Sequence, residues 1–454
     1  MARQDKNLNF TYSTIRWLLT LVICMALSLL AQKTSAQESP LFLTLQESIE
    51  IALERNLEVL VAQEEIEVAR QQKKEARTNF LPKFSVEYGY TRPSETEVTF
   101  GGVTFENTDK NQWRLIGTID QPLFTGLANL STYQLAKLGL DVAKIQLERT
   151  RLDIILTVKQ AYYGILSAER LLEVAEQSVR QLQEGLRVAE SFYRVGLSPK
   201  VDVLDAEVRL AEAEREVIRT TNDLQVARAR LNTILRQPIN TPLEVEDVLS
   251  TEPYEKTFED SREIALKYRP ELLEAEKNVA RSKKEITLVK SDYYPTITWS
   301  LEYNRRGDDP KVNGSPFTDR ENWETGATAT WTFFEWGKTR YATNQKRAQL
   351  RQAEDILEQV KDDVNLEVKT AYLTLQAAEK AVSVAEKSIV SAEENFRISG
   401  ERYEEQVATA TEVLDAQTRL TRAKANYTTA LVAFNVARAR LIRAMGQEDE
   451  YGVE

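Results

Sequence analysis

The side chains of this chain that could do chemistry are almost all carboxylates, because the other usual agents are missing. The 454 residues contain no histidine, which removes the commonest general base and the commonest metal ligand together. The single cysteine, Cys24, lies in an apolar run near the N-terminus. Gly337-Lys338-Thr339 has the form of the end of a phosphate-binding loop, but that motif needs glycine at position 332, where Thr332 stands. Most Asp and Glu residues sit at helical spacing beside Lys and Arg, the pattern of a solvated helix face. Two acidic clusters stand apart. Asp202 and Asp205 follow Gly196-Leu197-Ser198-Pro199, and Glu412 and Asp415 hold the matching places further on. Around them the local signals are structural: Thr409-Ala410-Thr411-Glu412 is a capping box, Ser198-Pro199 suits an N-cap followed by a first helical residue, and Gly196 ends the helix before it, while a ring of Asp415 carboxylates from several copies would attract cations. No catalytic site, cofactor or metal site is expected.

These clusters belong to a duplication. Ala161-Tyr162 recurs as Ala371-Tyr372, Tyr193 as Tyr403, Val203-Leu204-Asp205-Ala206 as Val413-Leu414-Asp415-Ala416, and Val226 to Leu231 as Val436 to Leu441, always 210 residues on. A constant offset over such a span is a tandem repeat without internal gaps, too long for a solenoid unit. Nearer the start of each copy the offset is 213, as for Pro82 and Pro295, so a short indel lies in the segment between.

Residues 1–36 have the form of a secretory leader: Arg3, Lys6 and Arg16, an apolar run from Trp17 to Leu30, then Thr34-Ser35-Ala36. The run is about 14 residues, short of the roughly 20 that span a bilayer, which favours cleavage over an anchor. Ile23 before Cys24 does not suit lipid attachment. Without the leader, which carries four basic residues and one acidic one, the net charge goes from −11 to −14. So acidic a chain is a poor nucleic-acid binder, and the one methionine left, Met445, offers no thioether relay for soft metals.

Period and composition give the architecture. Residues 46–79 follow a helical pattern that Leu81-Pro82 ends. Phe84, Val86, Tyr88 and Tyr90 then alternate with Ser85, Glu87, Gly89 and Thr91, a strand with one apolar face. A polar loop over 92–111 leads to a second strand near 112–121, where Leu115, Gly117 and Ile119 oppose Arg114, Thr118 and Asp120. A helical pattern over 128–194 would be about 100 Å long, and the one over 338–403 is similar. Helices of that length must pack side by side as coiled coils, with Leu171, Val174, Val179, Leu182, Leu186 and Val188 as one apolar stripe. The second copy repeats the plan, with strands near 296–304 and 323–333. The division expected is a leader (1–36), a first repeat (37–236) with a helical turn near 195–205, a linker (237–257), a second repeat (258–447) with a turn near 405–415, and a tail (448–454).

Each strand spans about 9 to 11 residues with a lipid-compatible face, which is the pattern of a membrane β-barrel. An ordinary sheet over a soluble core is the alternative for any one strand, but matched hairpins behind a leader favour the barrel. The strands of one chain are too few to close, since barrels need about eight, and open edges are not tolerated in hydrocarbon. The fold class expected is mainly α with a membrane β-barrel shared between copies of the chain. A periplasmic coiled-coil scaffold would explain the helices and leave the aromatic strands unexplained.

The duplication, the hairpin in each half, Pro122-Leu123-Phe124, Phe333-Phe334-Glu335-Trp336-Gly337 and the two tips, Tyr193 to Ala206 and Thr411 to Ala416, resemble the TolC family of outer-membrane efflux proteins over most of the chain from Leu45 to Gly446. The resemblance implies a homotrimer with a barrel of about twelve strands in outer-membrane lipid, continued by a periplasmic α-helical barrel. It implies passive conduction for an efflux or type I secretion system, from a periplasmic adaptor and an inner-membrane pump or ABC exporter to the exterior. It further implies an adaptor-docking tip at Gly196, Leu197, Ser198 and Pro199, a gate and selectivity ring at Asp415 and Glu412, and latch residues at Asp202, Tyr403 and Asp205. An arginine that members use as a latch partner falls here at Ala408, a departure from the family pattern.

Overall fold

The computed structural model describes residues 41–94, 97–100, 103–106, 109–315 and 319–449. The leader expected over 1–36, and 450–454 of the tail, lie outside them. The order is β1 (Leu41–Leu43), α1 (Leu45–Arg55), α2 (Leu57–Thr78), β2 (Lys83–Thr91), β3 (Glu97–Phe100), β4 (Val103–Glu106), β5 (Gln112–Thr125), α3 (Ala128–Arg194), α4 (Lys200–Ile234) and β6 (Leu243–Val245), then α5 (Phe258–Tyr268), α6 (Pro270–Lys290), β7 (Thr296–Gly307), β8 (Glu321–Thr330), α7 (Lys338–Glu404) and α8 (Ala410–Ala444). The duplication governs lengths: α3 and α7 have 67 residues each, α4 and α8 have 35.

Four details depart from the sequence reading. The helical pattern over 46–79 is two helices, because Asn56 is extended there, closing α1 with its amide and capping α2 with its side chain on the Glu58 amide. The loop over 92–111 contains the antiparallel pair β3–β4, whose strands are too short for alternation to show. The linker over 237–257 contains β6, which pairs in parallel with β1. The last strand ends at Thr330 rather than 333, because Thr330 already faces Thr296, the first residue of β7, and Pro295 before it has no N–H to offer.

The main sheet has the order β2-β5-β7-β8, antiparallel throughout. Its register sorts side chains by face. Phe84, Val86, Tyr88 and Tyr90 stand opposite Ile119, Gly117, Leu115 and Trp113, and the same face continues through Trp299, Leu301 and Tyr303 to Ala327, Thr325 and Trp323. Apart from Gln121, Thr325 and the facing pair Arg305 and Glu321 it is apolar or aromatic. The other face carries Ser85, Glu87, Arg114, Thr118, Asp120, Ser300, Glu302 and Asn304, with Arg114 2.8 Å from Glu87. A bulge at Leu123 accommodates Pro122 in β5. Among the described residues β2 and β8 have no neighbour on their outer edges, and Phe84 and Val86 are 71% and 77% exposed. Trp331, Phe333, Phe334 and Trp336 follow β8, all exposed, and form an aromatic belt where strands give way to helices.

The long helices form two hairpins, α3–α4 and α7–α8, with α3 also packed on α8. Of the stripe expected on α3, Leu182 is buried and Leu171, Val174, Val179, Leu186 and Val188 are half-buried; Ala168, Ala175 and Ala189 are buried beside them, and nearer the sheet larger residues such as Leu152, Ile155, Val158, Ile165 and Leu166 are buried too. Mid-height, Tyr162 is fully buried and its hydroxyl lies 3.0 Å from the Leu43 carbonyl and 2.9 Å from that of Glu246, tying the β1–β6 clasp to α3. At the corresponding level of the second half, Arg269 joins α5 and α6. Its guanidinium bonds Glu271 (2.7 Å), the Ala444 carbonyl at the end of α8 (2.8 Å) and Glu367 of α7. Arg443 of α8 completes the cluster, 2.7 Å from Asp153 and 2.8 Å from Glu271.

Left-handed backbone marks the corners. Gly126 and Leu127 before α3 match Trp336 and Gly337 before α7, Gly196 matches Gln406, and Arg236 matches Gly446, each with positive φ and each 210 residues from its counterpart.

Candidate functional site: the helical tips

The two turns at the far end of the hairpins are built alike. After α3, the Gly196 amide donates to the Tyr193 carbonyl (3.0 Å) and the Leu197 amide to that of Phe192 (2.8 Å). After α7, the Gln406 amide donates to Tyr403 (3.0 Å) and the Val407 amide to Arg402 (2.9 Å). Both are Schellman turns closed by a left-handed residue, with φ of 79° at Gly196 and 60° at Gln406. A Cβ at position 196 would meet nothing within 4 Å, so Gly196→Ala carries only the conformational cost. It should destabilise that turn by about 1 kcal/mol, read as roughly fivefold faster hydrogen exchange at the Leu197 amide.

The next helices start differently. Thr409 caps α8 in a capping box, its hydroxyl 3.3 Å from the Glu412 amide. At the first tip Pro199, not Ser198, is the N-cap of α4, and it makes no side-chain cap bond. The Ser198 hydroxyl is buried without a hydrogen-bond partner.

Of the acids, Asp205, Glu412 and Asp415 are exposed and Asp202 is half-buried. Each acid of the second tip has an arginine that sequence reasoning missed: Arg209 of α4 lies 3.7 Å from Asp415, and Arg402 lies 3.9 Å from Glu412. Half-exposed pairs of this kind contribute about 0–1 kcal/mol but lower the net charge presented there. No local spacing could reveal the first, which joins the two halves of the chain. Arg402 also approaches the Val407 carbonyl (3.4 Å), so a cation does serve this turn although position 408 is alanine.

Asp202 and Tyr403 line one cavity between the hairpins. The ring of Tyr403 lies 5.3 Å from that of Phe192. Burial and then the charge of Asp202 push its hydroxyl above the usual tyrosine range, and that hydroxyl is buried with no hydrogen-bond partner. The two residues are thus neighbours without a bond between them. Among the described residues no group of three or more His, Cys, Asp or Glu could hold a metal, and no helix is long and apolar enough to cross a membrane.

The family model described as outer membrane efflux protein matches residues 48–235 and 262–447, which is one match per repeat. The chain belongs to the outer membrane efflux protein family. Among its relatives, the alkaline protease secretion protein AprF of Pseudomonas aeruginosa is 24% identical over 352 residues, 74% of this chain and 70% of AprF. The outer membrane protein TolC of Vibrio cholerae is 27% identical over 201 residues, 44% of each chain. The crystal structure of the Campylobacter jejuni CmeC outer membrane channel superposes with a TM-score of 0.76 at 17% identity, over 88% of this chain and 85% of CmeC. The fold of this family member is therefore that of an outer-membrane channel, mainly helical with a four-stranded sheet per chain, as the TolC resemblance implied.

Proposed function

We propose that this protein is the outer-membrane exit duct of an efflux or type I secretion system, conducting passively and carrying no catalytic activity of its own. The observation that carries the reading is the sheet: sorted into an apolar and a polar face, open at both edges, and continuous with paired helices of 67 residues. A soluble scaffold would need one sheet face to cover a core, whereas β2 and β8 are almost wholly exposed. Copies of the chain satisfy those edges by sharing a closed barrel, a homotrimer of about twelve strands. The repeats divide as 37–236 and 258–447 about the linker 237–257, behind a leader at 1–36 and ahead of a tail at 448–454. The turns at Gly196 to Pro199 and Gln406 to Thr409 then face an adaptor and an inner-membrane pump or ABC exporter. AprF is named for protease secretion, which makes a polypeptide the first cargo to test.

In the trimer, Asp415 and Glu412 ring the narrow end and select for cations, while Asp202, Asp205 and Tyr403 face each other across the closing helices. The pairing with Arg209 gives this reading a two-sided test in planar bilayers. Asp415→Ala should raise conductance and weaken cation preference; Arg209→Ala should strengthen that preference by freeing the carboxylate. Currents indifferent to both substitutions would remove the ring.

A further inference from the structure

The two repeats are alike in sequence but not in their neighbours. α6 packs against both α7 and α3, so it joins its own half of the chain to the other half. Its counterpart α2 packs along α3, and its Leu57 and Val61 are exposed beside an open groove between those two helices. In the same way α8 packs on α7 and on α3, while its counterpart α4 packs chiefly along α3. Burial marks what is missing: α3 and α7 are equally long, yet 18 residues of α3 are buried and only 6 of α7. A helix related to α3 lacks the α2-like and α4-like flanks that α3 receives from the other half.

The internal seam can be carried over residue by residue, because the copies keep one register: Phe84 faces Ile119 as Ile297 faces Ala329, at the offsets of 213 and 210. Across that seam Lys277 of α6 lies 3.7 Å from Asp141 of α3. The Gln146 side-chain amide of α3 donates to Glu274 of α6 (2.8 Å), and Lys424 of α8 donates to Gln177 of α3 (3.1 Å). Moved by those offsets, the pairs become Glu64 with Arg351, Val61 with Ile356, and Glu214 with Lys387. The first and last are opposite charges, and the middle one is two aliphatics. Val61 and Ile356 are 60% and 55% exposed. The four charged residues are exposed as well, and none of their side chains has an ion-pair or hydrogen-bond partner among the described residues.

We infer that α7 of one copy docks between α2 and α4 of a second copy of this chain, in the register of the internal seam, joined by Glu64 to Arg351, Val61 to Ile356 and Glu214 to Lys387. The polarity of the first pair acts as a key. Inside the chain the base is on the short helix and the acid on the long one, Lys277 and Asp141. Between copies the acid is on the short helix, Glu64, and the base on the long one, Arg351. If α2 took the place of α6, Glu64 would meet Asp141; if α6 took the place of α2, Lys277 would meet Arg351. Like charges so placed oppose the exchange, and each seam accepts only its own helix. The inference rests on the reading of the protein as a barrel shared between copies, and it names the surfaces they share.

The test is cysteine cross-linking of the full-length protein in mild detergent, with Val61→Cys and Ile356→Cys in one chain; Cys24 is the only native cysteine. A short bismaleimide should link most copies into covalent dimers and trimers on a denaturing gel, whereas either cysteine alone should leave monomers. Glu64→Lys and Arg351→Glu should each weaken assembly about tenfold, and the two together should restore it. That restoration decides the matter even if the cysteine pair perturbs folding. A wild-type protein that is monomeric in mild detergent would end this seam and the duct reading together. A stable wild-type oligomer whose cysteine pair stays unlinked overturns the seam and leaves the duct standing. So does a double charge reversal that assembles no better than the single ones.

Discussion

Arg269→Met is expected to lower stability by about 3–5 kcal/mol, measured as a shift of the denaturant midpoint in detergent. The arginine side chain is 4% exposed, and it bonds two carboxylates and the last carbonyl of α8. Methionine has similar length but leaves Glu367 with Arg443, leaves Glu271 with Arg443 and the more distant Arg149, and removes the donor to Ala444. Lysine should not rescue the loss, since one ammonium cannot reproduce a fork that meets three acceptors. A cost below about 1 kcal/mol would show that water reaches the cluster and that it behaves as a surface pair. The same cluster sets an acid limit. Burial alone would raise the Glu271 carboxyl, but Arg269 and Arg443 outweigh it and hold it below the ordinary carboxylate range. A depressed folded value means that the contribution is complete above the unfolded value of about 4.3 and is lost as pH falls through the folded one. Glu271→Gln should flatten the pH dependence of stability in that acid window and leave its shape near neutrality unchanged.

Val86→Arg should keep the protein out of the outer membrane, whereas Ser85→Arg should not. Val86 lies on the apolar face near the middle of β2 and is 77% exposed. An arginine on the lipid face costs about 2–4 kcal/mol per copy near the midplane, and every subunit of the assembly bears it. Ser85 lies one residue away on the face that holds Glu87 and Arg114, where a charge stays in water. The readouts are outer-membrane fractionation and heat-modifiable migration on a gel. Equal behaviour of the two variants would mean that the faces are assigned to the wrong solvents.

The contrast between these sites also shows where sequence was sufficient. The sheet faces were legible because strand alternation has a period of two, and a run such as Phe84 to Tyr90 leaves only one way to sort its side chains. The tips were legible because they occur twice at one offset. Asn56 was missed although asparagine is a good N-cap, because helical spacing is the same on both sides of it. On α3 the stripe through Leu182 was legible from its spacing, whereas the buried alanines Ala168, Ala175 and Ala189 beside it were passed over because small side chains carry little hydrophobic signal. Arg269 precedes a proline, a recognisable boundary, but Glu367 and Ala444 lie far along the chain and no local pattern announces them. The same holds for Arg209, whose partner Asp415 sits in the other repeat.

The left-handed corners have a consequence for ancestry. At each paired corner, one copy keeps glycine while the other tolerates a side chain: Gly126 against Trp336, Gly337 against Leu127, Gly196 against Gln406, Gly446 against Arg236. Neither repeat retains glycine at every bend, yet the two taken together do. A half-length polypeptide bearing glycine at all of these bends is thus a natural forerunner of the present molecule.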